Sequence, residues 1–233
     1  MRAPLLAALL LVLPGAASAV IDNSVSLGNT LDRDNELSAL LGLYSTSAKL
    51  TGSAADKVAK PGPLLGLRWM YNLDTFLAAG LQVDAALPGP HDSTKLLANA
   101  TTRSKLTVGE VLLDARYRFL QENFRPYALL GLGVRATQLK LDSRPAAGFA
   151  WADTGTTESR TLVDSRKRGA AVLIEAGFDY HLNTDWSLGA SVGYHYAGKS
   201  TYAPTAAGKA AGLTGVTGAI SGIVLGGSVI GRY

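Results

Sequence analysis

The chain of 233 residues carries 22 basic and 18 acidic residues, a net charge of +4, and no cysteine. The lack of thiols excludes a disulfide framework and a thiolate metal site. A basic excess this small and this dispersed (Arg116, Arg118, Arg125, Arg135) excludes the one-sided cationic stripe that nucleic acid requires.

The first predicted element is an export signal. Arg2 supplies a positive start, Leu5 to Leu13 an apolar run, and Ala17-Ser18-Ala19 a small-residue cleavage pattern, so residues 1–19 are expected to be a secretory signal peptide. The apolar run falls short of the roughly twenty residues that span a bilayer. Residues 20–35, "VIDNSVSLGNTLDRDN", are polar and are expected to form a short periplasmic tail ahead of one body, residues 36–233.

From Glu36 onward, apolar residues recur at period two, and the runs are bounded by Pro, Gly, Asn and Asp. In "VGEVLLDARYRFL", Val111, Leu113, Ala115, Tyr117 and Phe119 share one face, while Glu110, Leu112, Asp114, Arg116 and Arg118 share the other. Eight strands are predicted, at about 36–46, 62–72, 75–87, 106–120, 125–139, 169–182, 185–198 and 217–233. Their connections alternate. Tight turns at residues 71–74, 121–124 and 182–185 contrast with polar loops at 47–61, 88–105, 140–168 and 199–216. An even strand number, with short turns at one end and long loops at the other, is the pattern of an all-β, eight-stranded antiparallel transmembrane β-barrel in the bacterial outer membrane. A soluble β-sandwich also explains the alternation, though not the alternating link lengths.

The two faces of the strands differ in chemistry. One carries Leu65, Leu67, Trp69 and Tyr71, then Leu77, Leu81 and Val83, then Val172, Ile174, Phe178 and Tyr180, then Trp186, Leu188, Val192, Tyr194 and Tyr196. The other carries Arg68, Asp84, Glu110, Asp114, Arg116, Arg118, Arg135, Glu175, Asp179, His181 and Arg232. In a barrel the apolar set meets lipid and the charges are confined to the interior. Trp69, Tyr71, Phe119, Tyr180, Trp186 and Tyr233 all neighbour a short turn or the last residue, as an interfacial aromatic girdle would.

Several motifs suggest other functions. Asn99-Ala-Thr matches a glycosylation sequon by pattern only, and Arg166-Lys167-Arg168 is either a solvated charge run or a contact for anionic lipopolysaccharide. His91, His181 and His195 show no ligand spacing, and no acid, base and nucleophile cluster together, so neither a metal, a cofactor nor enzymatic activity is expected. "GYHYAGKS" at 193–200 fits a phosphate-loop pattern, but Tyr194 and Tyr196 alternate with His195 as a strand would, and Pro204 opposes a following helix. Residues 210–231 are uncharged and contain Gly218-xxx-Gly222-xxx-Gly226, the signature of a helix-dimerisation face. Seven glycines in that stretch weaken a helix, and as a strand it closes the barrel.

Ordering the interior residues by height yields a candidate site. Toward the long loops lie Tyr44, Leu64, Leu106, Val108, Leu139, Leu173 and Ile220, the expected ligand-binding upper lumen. Toward the short turns lie Arg68, Asp114, Arg116, Arg118, Glu175, Asp179 and Arg232, the expected ionic floor. Eight strands enclose a space wide enough only for side chains or one small ligand. Opposite charges confined there are expected to pair. The expected activity is uptake of small hydrophobic compounds rather than conduction through a water-filled pore. A structural or surface-interaction barrel, whose long outer loops bind host or envelope partners, is the alternative.

"FRPYALLGLGV" (124–134), "RGAAVLIEAGFDYHLNTDWSLGASVGYHY" (168–196) and "YNLDTFLAAGLQVDAALP" (71–88) together resemble the OmpW family of small outer-membrane barrels. The most specific parts are Arg125-Pro126-Tyr127 entering a Gly-alternating strand and the Asn183-Thr184-Asp185-Trp186 turn. The resemblance implies an eight-stranded barrel with a narrow lumen that passes small hydrophobic compounds and releases them sideways through its wall. The expected partners are outer-membrane lipid and lipopolysaccharide, the outer-membrane assembly machinery and a small hydrophobic solute, with no nucleic acid. The oligomeric state is left open.

Overall fold

Alternation of side chains along the sequence becomes alternation of burial along eight long strands. A computed structural model describes residues 35–46, 49–50, 56–57, 59–94, 97, 99–119 and 123–233. The expected signal peptide, residues 20–34 of the expected tail, Gln121 and Glu122 of the second turn and much of the 47–61 loop lie outside the described residues. The strands are β1 (Asn35–Thr46), β2 (Gly62–Asn72), β3 (Leu77–Ala86), β4 (Ala100–Arg118), β5 (Phe124–Pro145), β6 (Arg160–His181), β7 (Trp186–Ala197) and β8 (Gly222–Arg232). Each pairs antiparallel with its neighbours in sequence, and β1 pairs with β8 from Glu36↔Arg232 to Thr46↔Gly222, so the sheet closes on itself. Asn35 and Tyr233 exchange backbone hydrogen bonds at the bottom of this seam (3.3 and 3.1 Å).

Closure leaves no sheet edge in the hydrocarbon layer, which is what lets strands cross it. The outer face is oily: Leu113 is 69 % exposed, Ile174 61 % and Leu41 63 %, and the girdle residues Trp69, Tyr71, Phe119, Tyr180, Trp186 and Tyr233 all face outward. The charges lie inside. Arg116 is 1 % exposed and Asp179 1 %. A soluble sandwich would invert this arrangement, so the distribution of burial excludes it. Among the described residues no helix is long and apolar enough to cross a membrane, a fact that bears only on helices. The glycine-rich 210–231 stretch contains the end of α1 (Ala206–Ala210), a short strand at Val216–Ala219 and most of β8.

Two short turns share one geometry. Asp74 Oδ1 accepts from the amides of Phe76 and Leu77 (2.7 Å each), and Asn183 Oδ1 accepts from those of Asp185 and Trp186 (2.9 and 2.8 Å). In both, the first amide of a five-residue turn reaches the last carbonyl, Leu73 to Leu77 (2.9 Å) and Leu182 to Trp186 (3.0 Å). Short polar side chains that bond their own backbone two and three residues on are the chemistry of tight turns.

At the other end the structure departs from the expected boundaries. β4, β5 and β6 run 19, 22 and 22 residues, so residues 100–105, 140–145 and 160–168 are strand where polar loop was expected. The pairing of β5 with β6 continues through Lys140↔Asp164 to Ser143↔Arg160, with a bulge at Leu141/Asp142. Period two persists there, with Leu139, Leu141 and Ser143 buried. Its outward partners Lys140, Asp142 and Arg144 are polar because above the membrane that face meets water. The expected last strand also divides: Val216–Ala219 pairs with Lys199–Tyr202 in a separate hairpin, and only from Gly222 does the chain join the barrel.

Candidate functional site

The strand register sets the interior in layers. At the short-turn end, Glu36 of β1 faces three arginines. Arg118 Nη2 and Arg232 Nε donate to its Oε1 (2.7 and 3.1 Å), and Arg116 donates to its Oε2. Arg116 also reaches Asp179 (3.3 Å), and Arg232 lies against the ring nitrogens of His181 (2.8 and 2.9 Å). One step higher, Arg68 holds Glu175 through both terminal guanidinium nitrogens (2.9 and 3.0 Å), and its Nε approaches Asp114 (3.3 Å). Tyr127 donates its hydroxyl to the same Glu175 (2.8 Å), and the guanidinium of Arg116 sits 5.6 Å from the tyrosine ring centre.

All seven residues expected in the floor are buried and joined by these contacts. The sequence reading missed Glu36, Gln82 and Tyr127. The first left a signal: the expected floor set four arginines (Arg68, Arg116, Arg118, Arg232) against three carboxylates (Asp114, Glu175, Asp179), and Glu36 supplies the fourth negative charge. Gln82 accepts from Arg68 Nε (2.5 Å) and donates to Asp84, but being uncharged it shows only through its inward phase.

A second polar belt lies above this floor. Arg135 donates to Glu110 and to the Ile220 carbonyl, and His195 Nδ1 lies 2.7 Å from the other Glu110 oxygen. Asp84, Glu110 and His195 bring three potential metal-ligand atoms within 4.8 Å of one another. Both Glu110 oxygens are engaged, one by Arg135 and the other by His195. The donor set is therefore that of an internal ion pair.

The upper lumen is apolar. Tyr44, Leu64, Leu106, Val108, Leu139 and Ile220 belong to one buried cluster, whereas Leu173 packs lower, with Leu112, Tyr127, Leu129 and Ala171. Ile220 sits between the short Val216–Ala219 strand and β8, not within the barrel wall. Trp151, Leu162, Val163, Tyr202 and Val216, from the outer segments, join the upper cluster. The Trp151 indole donates to the Glu158 carbonyl (2.8 Å), and the Tyr202 hydroxyl is hydrogen-bonded to that of Thr137 in the wall (2.7 Å). The outer segments thus fold inward over the mouth. Loop side chains carry no periodicity, which is why this cap was not foreseen.

The wall itself has a gap. The β6–β7 ladder stops at Ala171↔Ala197, where the chain leaves to form the hairpin with Val216–Ala219, while β6 runs on beside β5. Backbone pairing with β6 resumes at the Val163↔Pro204 bridge and the Thr205 amide to the Leu162 carbonyl (2.9 Å). Between these points lies a cavity of about 350 Å³. Its lining combines lumen residues (Arg135, Thr137, Tyr202, Ile220) with residues of the outer face (Ala170, Val172, Tyr196). The "GYHYAGKS" stretch forms one rim, extended throughout, with His195 inward in the barrel.

No curated protein sequence matches this chain. Solved structures do. Neisserial surface protein A aligns over 86 % of this chain and 97 % of its own, at 14 % identity and a TM-score of 0.52. A major outer membrane protein of Thermus thermophilus aligns over 85 % and 99 %, at 12 % identity and 0.51. OprG of Pseudomonas aeruginosa aligns over 88 % and 99 %, at 18 % identity and 0.49. At these identities the first two establish the fold alone. The family comparison goes further: the outer membrane protein beta-barrel domain matches residues 5–217, and the chain belongs to that family of bacterial outer-membrane barrels.

Proposed function

We propose that the barrel takes up small hydrophobic compounds, holding them in the apolar upper lumen and passing them sideways through the wall between β6 and the segment that follows β7. The observation that carries this reading is the combination of a blocked floor with an open wall. Below the apolar layer, Arg68, Arg116, Arg118 and Arg232 are paired with carboxylates across the whole section, so an apolar solute moving straight down would have to separate buried ion pairs. Beside the apolar layer, the cavity touches both the lumen and the lipid face. Tyr44, Leu64, Leu106, Val108, Leu139 and Ile220 are the proposed ligand contacts, with Leu173 at their lower boundary. The arginines Arg68, Arg116, Arg118, Arg135 and Arg232 are engaged with carboxylates, which supports a non-catalytic role. The narrower resemblance to the OmpW family points to the same activity.

Two glycines make the proposal testable without disturbing the wall. A Cβ added at Gly169 or Gly198, both lining the cavity, meets no heavy atom within 4 Å. Gly169→Trp and Gly198→Trp should therefore fold, seen as a heat-modifiable band in gels, yet lower uptake of a hydrophobic tracer by cells about fivefold, the equivalent of roughly 1 kcal/mol of lost binding. Normal uptake by both variants, together with loss of surface binding when residues 146–159 are replaced by a short flexible turn, would support the surface-interaction reading instead. The feature that favours that second reading is the ordered tip of the β5–β6 hairpin, where Arg160 clamps Asp153 through two contacts (2.8 and 2.9 Å).

A further inference from the structure

We infer that the wall cavity is a binding site for an amphiphile with an anionic headgroup, a carboxylate or phosphate on an aliphatic chain. This names the class of compound within the uptake reading, and it depends on that reading for the compound's destination but not for its binding. The lining contains four cations, Arg135, Lys167, Arg168 and Lys199, and no acidic side chain. A cationic rim alone would be an ordinary solvated surface. Arg135 is different: it is 3 % exposed, its Nε faces Glu110 and its Nη1 the Ile220 carbonyl, while its Nη2 is buried without a well-formed hydrogen bond, the Tyr44 hydroxyl being the neutral group beside the guanidinium. A buried guanidinium donor without a well-formed bond is unfavourable, and an anionic oxygen is its strongest complement.

The cavity's height selects the rest of the ligand. Below it the outer face is apolar, with Ile174 and Tyr194 exposed to acyl chains; above it the same face carries Arg166 and Asp164. The cavity thus spans the level where lipid headgroups give way to their chains. Val172, Tyr196 and Ile220 supply apolar contact beside the cations. A volume of about 350 Å³ is at the small end of ligand sites, roughly 300–1,000 Å³, and suits a headgroup with the first part of its chain.

The test is photolabelling of the full chain in phosphatidylcholine vesicles with a diazirine derivative of laurate, the labelled peptides being located by mass spectrometry. Label is expected on residues 167–172 and 196–202. Unlabelled laurate and dodecyl phosphate should compete about tenfold better than dodecanol or inorganic phosphate, the margin of a charge-assisted hydrogen bond. Combined Lys167→Gln, Arg168→Gln and Lys199→Gln should reduce labelling about fivefold while the heat-modifiable band persists. Adding lipid A to the vesicles distinguishes the sources: displacement of label by lipid A identifies a resident lipid headgroup, and persistence identifies a free amphiphile in transit.

Equal competition by dodecanol, equal competition by inorganic phosphate, or label elsewhere on the barrel would each overturn the inference. The two readings fail separately. Headgroup-selective labelling with normal uptake by the tryptophan variants would sink the uptake route and keep the site; unselective labelling with reduced uptake would do the reverse.

Discussion

Glu36 shows how much of the interior depends on one side chain. It is 1 % exposed and receives Arg116, Arg118 and Arg232, so replacing it leaves three buried guanidinium groups short of a common anion. Glu36→Gln preserves the shape and removes the charge. Breaking a buried ion pair from one side typically costs about 3–5 kcal/mol, and a loss of that order should appear as a lower urea midpoint for the protein refolded in lipid. An unchanged midpoint would mean that the arginines find other acceptors. The inward charges were legible in the sequence because each sits in phase opposite an apolar neighbour. Their partners were not, since pairing joins strands whose order around the ring the alternation does not specify. Tyr127 illustrates the limit: its ring covers Gly177, where an added Cβ would lie 2.7 Å from the tyrosine oxygen, and nothing in either sequence segment announces that match.

The two five-residue turns make a controlled comparison at the level of the element. Amides of Leu77 and Phe76 hold the Asp74 carboxyl below the ordinary aspartate range. Asn183 makes equivalent bonds and does not titrate. A carboxyl whose folded value is depressed contributes stability that is complete above the unfolded value, near 3.9. That contribution fades as the pH falls through the lower folded value. Urea midpoints of wild type and Asp74→Asn should therefore converge or cross only below about pH 4, and Asn183→Asp should acquire the same acid sensitivity. A constant difference between wild type and Asp74→Asn across that range would exclude the turn as its source. Strand existence was legible from alternation, and the turns from their Asn and Asp. The upper extensions of β4, β5 and β6 were not, because apolarity of the outward face marks a strand only where lipid surrounds it; Lys140, Asp142 and Arg144 keep the period in water.

For the molecule as a whole, the layered interior argues against bulk flow. Among the described residues, a floor of mutually paired charges and a mouth capped by Trp151, Tyr202 and Val216 stand in the way of flow along the axis. Protein inserted into planar bilayers should show current close to leak, well below an open porin; stable, large conductance steps in wild type would contradict the plugged lumen. The closed ring and the inward phase of its charges could be read from composition and alternation. The inward-folded cap and the gap beside Ala171 and Ala197 could not, since each arises where a strand parts from its neighbour and no periodic signal marks that point.

The seam between β1 and β8 fixes the order of events in assembly. Glu36 and Arg232 lie 196 residues apart, and until they meet neither the last ladder nor the central anion of the floor exists. Chain entropy makes such distant pairings late and slow. Until that moment an oily set of strands stands open to water and to other copies, so survival before closure is a separate demand from stability after it.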